Sequence, residues 1–310
     1  MDERAALAML EDVLEPVGDD AAVVDDLVIT TDMLHERTDF PPGTTKYTAG
    51  WRAVGASLSD VAAMGAEATA AVAAYAAPEF DARALEAFVR GAHDVCTSVG
   101  ASYVGGDLDT HQEFTVATTA VGETATPVFR TGARPGDALC VTGALGRSAA
   151  ALEQFQARNL ETANELFRFE PRVDAGKHLA EYATAMMDSS DGLARSLHQL
   201  GAASECGFAL ERGSIPVAAS LTAVDEDAEQ ATWPTDIVDD PVLERAITFG
   251  EDFELVCTMP PETVEVARSA LSCPLTVIGS VRGPATGITI DGNPLPDAGY
   301  THGGDESESS

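Results

Sequence analysis

Apolar positions along this chain follow two rhythms. Small and apolar residues recur at helical spacing over residues 45–64, and residues 81–99 repeat that spacing, so each stretch is expected to be a helix. "AAVV" and "LVITT" flank Asp25-Asp26 and read as a hairpin. "ATAAVAAYAA" is rich in alanine, which favours helix; lying between two better helices, it is read as a strand. "ASYVGGD" reads as a strand running into a glycine turn, and "EFTVATTAVGE" as a strand by its β-branched content. Further on, "ALCVTG", "FELVCTM", "LTVIGSV" and "GITI" read as strands, and residues 146–156, 172–184, 190–203 and 262–271 as helices. A short amphipathic helix is expected at 3–15 and an exposed acidic loop at 225–240.

Strands and helices alternate in both halves, which places the chain in the α/β class, with α+β character. The Gly/Pro-rich stretch "RTGARPGD", residues 130–137, interrupts the pattern. It divides the chain into an N-terminal domain, 1–135, and a C-terminal domain, 136–300, followed by an acidic, disordered tail at 301–310. A length of 310 residues suits two domains.

Charge narrows the range of partners. The chain holds 51 acidic residues against 18 basic ones, a net charge of −33. Nucleic acid and anionic membranes are repelled by such a surface unless a local basic patch exists, and the sequence offers none. Lys46 and Lys177 are the only lysines, and alanine is abundant. This balance resembles that of proteins from a high-salt cytoplasm, as in a halophilic archaeon, where screening over a few ångströms tolerates self-repulsion. No apolar run reaches transmembrane length, and the acidic start "MDERAALAML" lacks the basic region of a secretory signal, so a cytoplasmic location is expected. The five cysteines are far apart and read as inert thiols.

Among so many carboxylates, neighbourhood separates chemistry from coating. Glu153, Glu161 and Asp225 sit on polar helix faces or in charged loops and read as solvated acids. A different set lies among glycines, small hydroxyls and apolar strands: Asp19-Asp20 in "GDDAAVV", Asp32 in "VITTDML", Asp60 in "GASLSDVAAMGA", Asp107 in "YVGGDLD", Asp188 and Asp191 in "MMDSSDG", and Glu251-Asp252 in "TFGEDFEL". Strand ends followed by glycine are where α/β sheets bind ligands. Two carboxylates about 4 Å apart cost about 4 kcal/mol at an effective dielectric of about 20. If several converge, cations must offset the repulsion or some groups must protonate. Convergent aspartates without a His/Cys cluster point to Mg²⁺ and substrate phosphates. Taken singly, each acid reads as a helix cap or turn residue; Asp188, Ser189 and Ser190 are equal candidates to cap the helix behind them. The rival reading of the acidity as a whole is a non-catalytic cation-binding module. No P-loop, dinucleotide fingerprint, protein-kinase motif or zinc-protease motif occurs.

In order along the chain, "GDDAAV", "TTDML", "VGASLSDVAAMGA", "GGDLD", "RTGARPGD", "VTGALGRSAAAL", "DSSDGL" and "FGEDFEL" resemble the successive motifs of the thiamine-monophosphate kinase family, within the superfamily of aminoimidazole ribonucleotide synthetase. The resemblance implies phosphorylation of thiamine phosphate by ATP, with direct in-line transfer and Mg²⁺, and K⁺ as a further candidate ion. It also implies a two-domain fold whose N-terminal sheets pair into a barrel across a homodimer. Carried over residue by residue, Asp20, Thr30, Thr31, Asp32, Asp60, Asp107, Asp188 and Asp191 match metal-ligand positions. Asp32, Asp188 and Asp191 become the candidates for catalysis. Gly106, Asp107, Arg130 and Ser190 match nucleotide contacts, and Glu251 matches a thiamine-side contact. The family's substrate-contacting histidine falls near Asp39, and its C-terminal tryptophan has Tyr300 as the nearest stand-in. Other superfamily members, a selenophosphate synthetase or an aminoimidazole ribonucleotide synthetase, are the enzymatic alternatives. The first is disfavoured because the earliest cysteine, Cys96, lies inside an expected helix.

Overall fold

The computed structural model describes residues 18–224 and 237–299. The expected helix at 3–15, residues 225–236 of the acidic loop, Tyr300 and the tail lie outside the described residues. Five strands form a first sheet: β1 (Ala22–Val24), β2 (Leu27–His35), β3 (Glu67–Ala77), β4 (Ser102–Thr110) and β5 (Thr115–Glu123), in the order β1-β2-β5-β3-β4. Only the β3–β4 pairing in it is parallel. Helices α1 (Glu36–Asp39), α2 (Lys46–Ala63) and α3 (Ala82–Ser98) belong to the same half.

Seven strands form the second sheet: β6 (Ala138–Thr142), β7 (Ala185–Asp188), β8 (Gly207–Leu210), β9 (Leu255–Met259), β10 (Leu275–Arg282), β11 (Ile288–Ile290) and β12 (Asn293–Pro294). Their order is β12-β11-β8-β10-β6-β9-β7, with only β8 and β11 parallel. Helices α4 (Arg147–Gln156), α5 (Leu160–Phe167), α6 (Val173–Leu179), α7 (Leu193–Ala203), α8 (Ala219–Val224), α9 (Pro241–Thr248) and α10 (Val264–Ala270) accompany it.

The alanine-rich strand β3 is hydrogen-bonded on both sides, to β4 and β5, and its burial alternates with period two along most of its length. Sheet context overrides alanine's helix preference there. Two expected helices are shorter than their patterns. Residues 180–183 form a turn leading into β7, so α6 stops at Leu179. Gly192, at φ +97°, precedes α7, so Asp188, Ser189 and Ser190 remain in the strand end and loop, and none of them caps the helix. The short strands β7 and β8 are almost wholly buried and show no polar alternation for a sequence reading to detect.

Helix α2 links the two halves. Small residues dominate α2, and it is buried along most of its length with Arg52, Ser57 and Ser59 among the covered side chains. Its Val54, Leu58 and Val61 share one core with Val28, Ala71 and Ala120 of the first sheet and with Met186, Leu255 and Cys257 of the second. Small residues make this possible. A Cβ on Gly50 would collide with the Phe88 carbonyl of α3, and one on Gly91 of α3 with the Tyr47 carbonyl. Thr45 starts α2 by accepting the Thr48 N–H. Four of the five cysteines are buried, and all five are free thiols. No helix among the described residues is long and apolar enough to cross a membrane.

Candidate active site

Three acids from three separate elements converge where the sheets meet. Asp20 lies in the turn before β1, Asp60 on α2 and Asp188 at the end of β7, and one oxygen from each lies within 4.8 Å of the others. At such separations each pair of charges costs roughly 4 kcal/mol at an effective dielectric of ~20. The acidities follow. Asp60 is pushed well above the usual carboxylate range, first by burial and then by the charges of Asp32, Asp188 and Asp20. Burial, with Asp20 beside it, raises Asp188 to about 6 against the opposing hydrogen bonds of Ser190 and Ser59. Asp32 is raised by burial, and so is Asp19, to about 6.

Hydroxyl groups aim these carboxylates. Thr30 donates to Asp60 (2.5 Å), Ser57 to Asp32 (2.5 Å) and Ser59 to the buried Asp188 (2.7 Å). The Ser190 amide and hydroxyl both donate to the other Asp188 oxygen (3.1 and 2.7 Å). Sequence reasoning singled out Asp60 in "GASLSDVAAMGA" but passed over Ser57 and Ser59. A signal existed for Ser57, which is three positions from Asp60 on a helix and so its neighbour on the surface; the sequence held none for Ser59. Arg130 supplies the counter-charge. Its guanidinium donates to both oxygens of Asp20 (3.3 and 3.0 Å), and its amide to Asp19 (2.8 Å). Its cationic fork is therefore engaged by the acid cluster.

The remaining candidates scatter. Thr30 and Asp32 share the covered face of β2, whereas Thr31 lies on the open face, its hydroxyl donating to the Thr118 carbonyl. Asp107 is exposed on β4 opposite Ala74, in the row that runs through Ala117 to Met33 on that open face. Asp107 does not join the three-acid cluster within this chain, and Thr31 lies on the opposite face of β2 from Thr30 and Asp32. The neighbouring Gly106 packs so closely on β3 that a Cβ would collide with the Ala73 carbonyl. Asp191 accepts from Gln199 Nε2 of α7 (3.1 Å). Asp39 accepts from the His35 amide (2.6 Å) and the Thr38 hydroxyl (2.9 Å), bonds that close α1 locally. Glu153, expected to be solvated, is only 12% exposed in its side chain and pairs with Arg245, 92 positions away. Glu161 is exposed, as expected; Asp225 lies outside the described residues.

The "GEDFEL" segment is knitted to the "DSSDG" loop. Ser189 N–H donates to the Glu254 carbonyl (2.8 Å), Glu254 N–H to the Ser189 hydroxyl (3.0 Å) and Glu251 N–H to the Ser190 carbonyl (2.6 Å). Asp252 accepts from the Gly146 and Ser148 amides at the start of α4 (2.5 and 2.9 Å). It is a buried helix cap, raised to about 7 chiefly by desolvation. Glu251 keeps a partly exposed carboxylate, paired with buried Arg52 of α2.

A carboxyl raised by burial and like charges stabilises the fold below its ordinary range, near 3.8, and that stability is lost as pH rises through the raised value. With divalent cations chelated, Asp60→Asn is therefore expected to stabilise the protein by roughly 0.5–2 kcal/mol at pH 7.5. The gain should shrink towards pH 4, as read by urea unfolding in molar KCl. A variant less stable than the parent at pH 7.5 would show that the cluster is not under electrostatic load.

Comparison with known proteins places this geometry in a family. Residues 18–124 match the AIR synthase related protein N-terminal domain, and residues 134–291 the corresponding C-terminal domain. The chain is 60% identical to the thiamine-monophosphate kinase of Halobacterium salinarum, over 97% of this chain and 100% of the relative. It is 39% identical to that of Methanospirillum hungatei, over 97% and 99%. Its fold is similar to that of AaThiL, solved in complex with AMPPCP and TMP, with a TM-score of 0.85, 28% identity and 97% coverage of each chain. With both domains matched in order and similarity that runs nearly end to end, this chain belongs to the thiamine-monophosphate kinase family.

Proposed function

We propose that the chain transfers the γ-phosphoryl group of ATP to the phosphate of thiamine phosphate, giving ADP and thiamine diphosphate. The observation that carries the reading is the convergence of Asp20, Asp60 and Asp188, with Arg130 beside them, at the junction of the two sheets. Family membership supplies the substrates: the relatives are thiamine-monophosphate kinases, and AaThiL was solved with a nucleotide analogue and TMP.

The donor set fits Mg²⁺. Every group in the cluster offers carboxylate oxygen, the preference of a hard cation that brings phosphates with it. Asp20, Asp60 and Asp188 would hold the metal, with Asp32 alongside. A Mg²⁺ ion held there would supply the positive charge that phosphoryl transfer calls for. The chain's own residues do the positioning: Ser57, Ser59, Thr30 and Ser190 fix the carboxylates before substrate arrives. The Ser190 and Arg130 positions serve the nucleotide, and Glu251 takes the cationic thiazolium side. The acceptor phosphate attacks in line and ADP leaves, without a phosphoenzyme.

The open face of the first sheet supports a homodimer. Leu27, Ile29 and Met33 on β2 and Val72 on β3 line it, with Met33 58% exposed. Apolar exposure of this kind marks an association surface. A second copy laid sheet to sheet closes the barrel and brings Thr31 and Asp107 to the subunit seam. The reaction belongs in the cytoplasm, where ATP and K⁺ are abundant.

With ATP, Mg²⁺ and thiamine phosphate in molar KCl, the protein is expected to form thiamine diphosphate. Asp32→Asn and Asp188→Asn should each lower kcat by about 10²-fold or more, while Glu161→Gln leaves it unchanged. Folded protein without product overturns the assignment, and equal rates in all three variants overturn the roles of the acids. Light scattering should find a dimer that Met33→Lys dissociates; a monomeric parent refutes the barrel.

A further inference from the structure

Among the described residues, Arg52 is the most deeply buried arginine or lysine. Its side chain is 1% exposed, in a chain where positive charge is scarce. One guanidinium nitrogen donates to the Phe167 carbonyl (2.7 Å). The second terminal nitrogen donates to the Glu251 carbonyl (3.2 Å) and pairs with the Glu251 carboxylate. The Phe167 ring lies 3.7 Å from the guanidinium carbon, so stacking fixes the plane of the fork as the hydrogen bonds fix its direction.

The segment it grips is held in an unfavourable conformation. Glu251 has φ +62° and Phe253 φ +54°, in the left-handed region that β-carbon-bearing residues avoid. Neighbouring contacts hold it there: Asp252 on the α4 amides, Glu254 on Arg172 and Thr142, and Phe253 stacked on Phe169 with ring centroids 4.1 Å apart. Ser148 donates to the same Glu251 carbonyl (2.6 Å). Within this frame the one carboxylate left partly open is that of Glu251, 30% exposed, and Arg52 sets where it points. Strain retained at a ligand-facing residue is a sign of positioning.

Building on the reading of Glu251 as the thiamine-side contact, we propose that Arg52 is a positioning residue for thiamine phosphate, acting only through Glu251. The same helix that carries Asp60 and the Ser57 and Ser59 hydroxyls then also orients the acceptor side. Helix α2 thus ties donor and acceptor geometry to one rigid rod.

Steady-state kinetics of the full chain in molar KCl test this. Arg52→Lys keeps the charge but loses the planar fork. It should raise KM for thiamine phosphate about tenfold and leave KM for ATP and kcat within about twofold. In a Glu251→Gln background, Arg52→Lys should add nothing, since the two act as one unit. Equal rises in both KM values, or additive effects in the double variant, would overturn the proposal. Glu251→Gln alone separates the two layers. If it leaves KM for thiamine phosphate unchanged, the Glu251 reading fails and takes this one with it. If it raises KM while Arg52→Lys does not, only the Arg52 proposal fails. Should Arg52→Lys not fold, Ser148→Ala decides: it removes the second donor to the Glu251 carbonyl and with it the hydroxyl that accepts from Arg52 (3.5 Å). A rise of about threefold in KM for thiamine phosphate alone supports the proposal, and no rise overturns it.

Discussion

Repulsion among buried carboxylates is the constraint around which this molecule is organised. Asp20, Asp60 and Asp188 are held within 4.8 Å of one another, with Asp32 close enough to act on Asp60. Left alone, that arrangement would relax by spreading or by taking up protons. It is kept by hydroxyl donors on three of the acids and by Arg130 on the fourth. Hydrogen bonding to the charged forms and one arginine offset only part of the burial penalty, so the pKa values of Asp32, Asp60 and Asp188 stay raised. A site in that condition gains most from added positive charge. The fold thus holds in reserve an attraction for cations that phosphates can share.

Holding the acids demands a rigid support, and α2 supplies it. Because it is buried between two sheets, its side chains are fixed by packing and its small residues let α3 approach backbone to backbone. From different sides of one turn and a half, Ser57 reaches Asp32, Ser59 reaches Asp188 and Asp60 enters the cluster. A turn and more earlier, Arg52 grips the strained loop at Glu251. The two glycine-punctuated loops, "DSSDG" and "GEDFEL", are hydrogen-bonded to each other as well. Movement of any one part is therefore felt by the others, as phosphoryl transfer between two positioned substrates requires.

Much of this could be read in the sequence, and the misses have physical causes. The setting of Asp188, an apolar approach followed by small hydroxyls and glycine, set it apart from the acidic coat, although the strand β7 that ends there was not expected. The long helices of the first half followed from their periodicity, β5 from its β-branched content and β3 from its place between two better helices. Position along the chain did not reveal which face a side chain takes. Thr30 and Thr31 are adjacent in "VITTDML", yet a strand's period of two sends one to the acid cluster and the other to the open face. Asp107 depends likewise on the register of β4 against β3, which contains a bulge. Glu153 looked solvated because its partner, Arg245, is 92 positions away, and Asp252 looked functional until its backbone partners at α4 were seen. Long-range pairing is the information a linear reading lacks.

The central claim is that the three-acid cluster binds divalent cations together with nucleotide phosphates. Crystals grown with Mn²⁺ and a non-hydrolysable ATP analogue, measured at the manganese absorption edge, test it most directly. The account predicts an anomalous peak bonded to oxygens of Asp20, Asp60 and Asp188 at the phosphates. Phosphates bound with no metal there, or manganese bound only elsewhere, would contradict it.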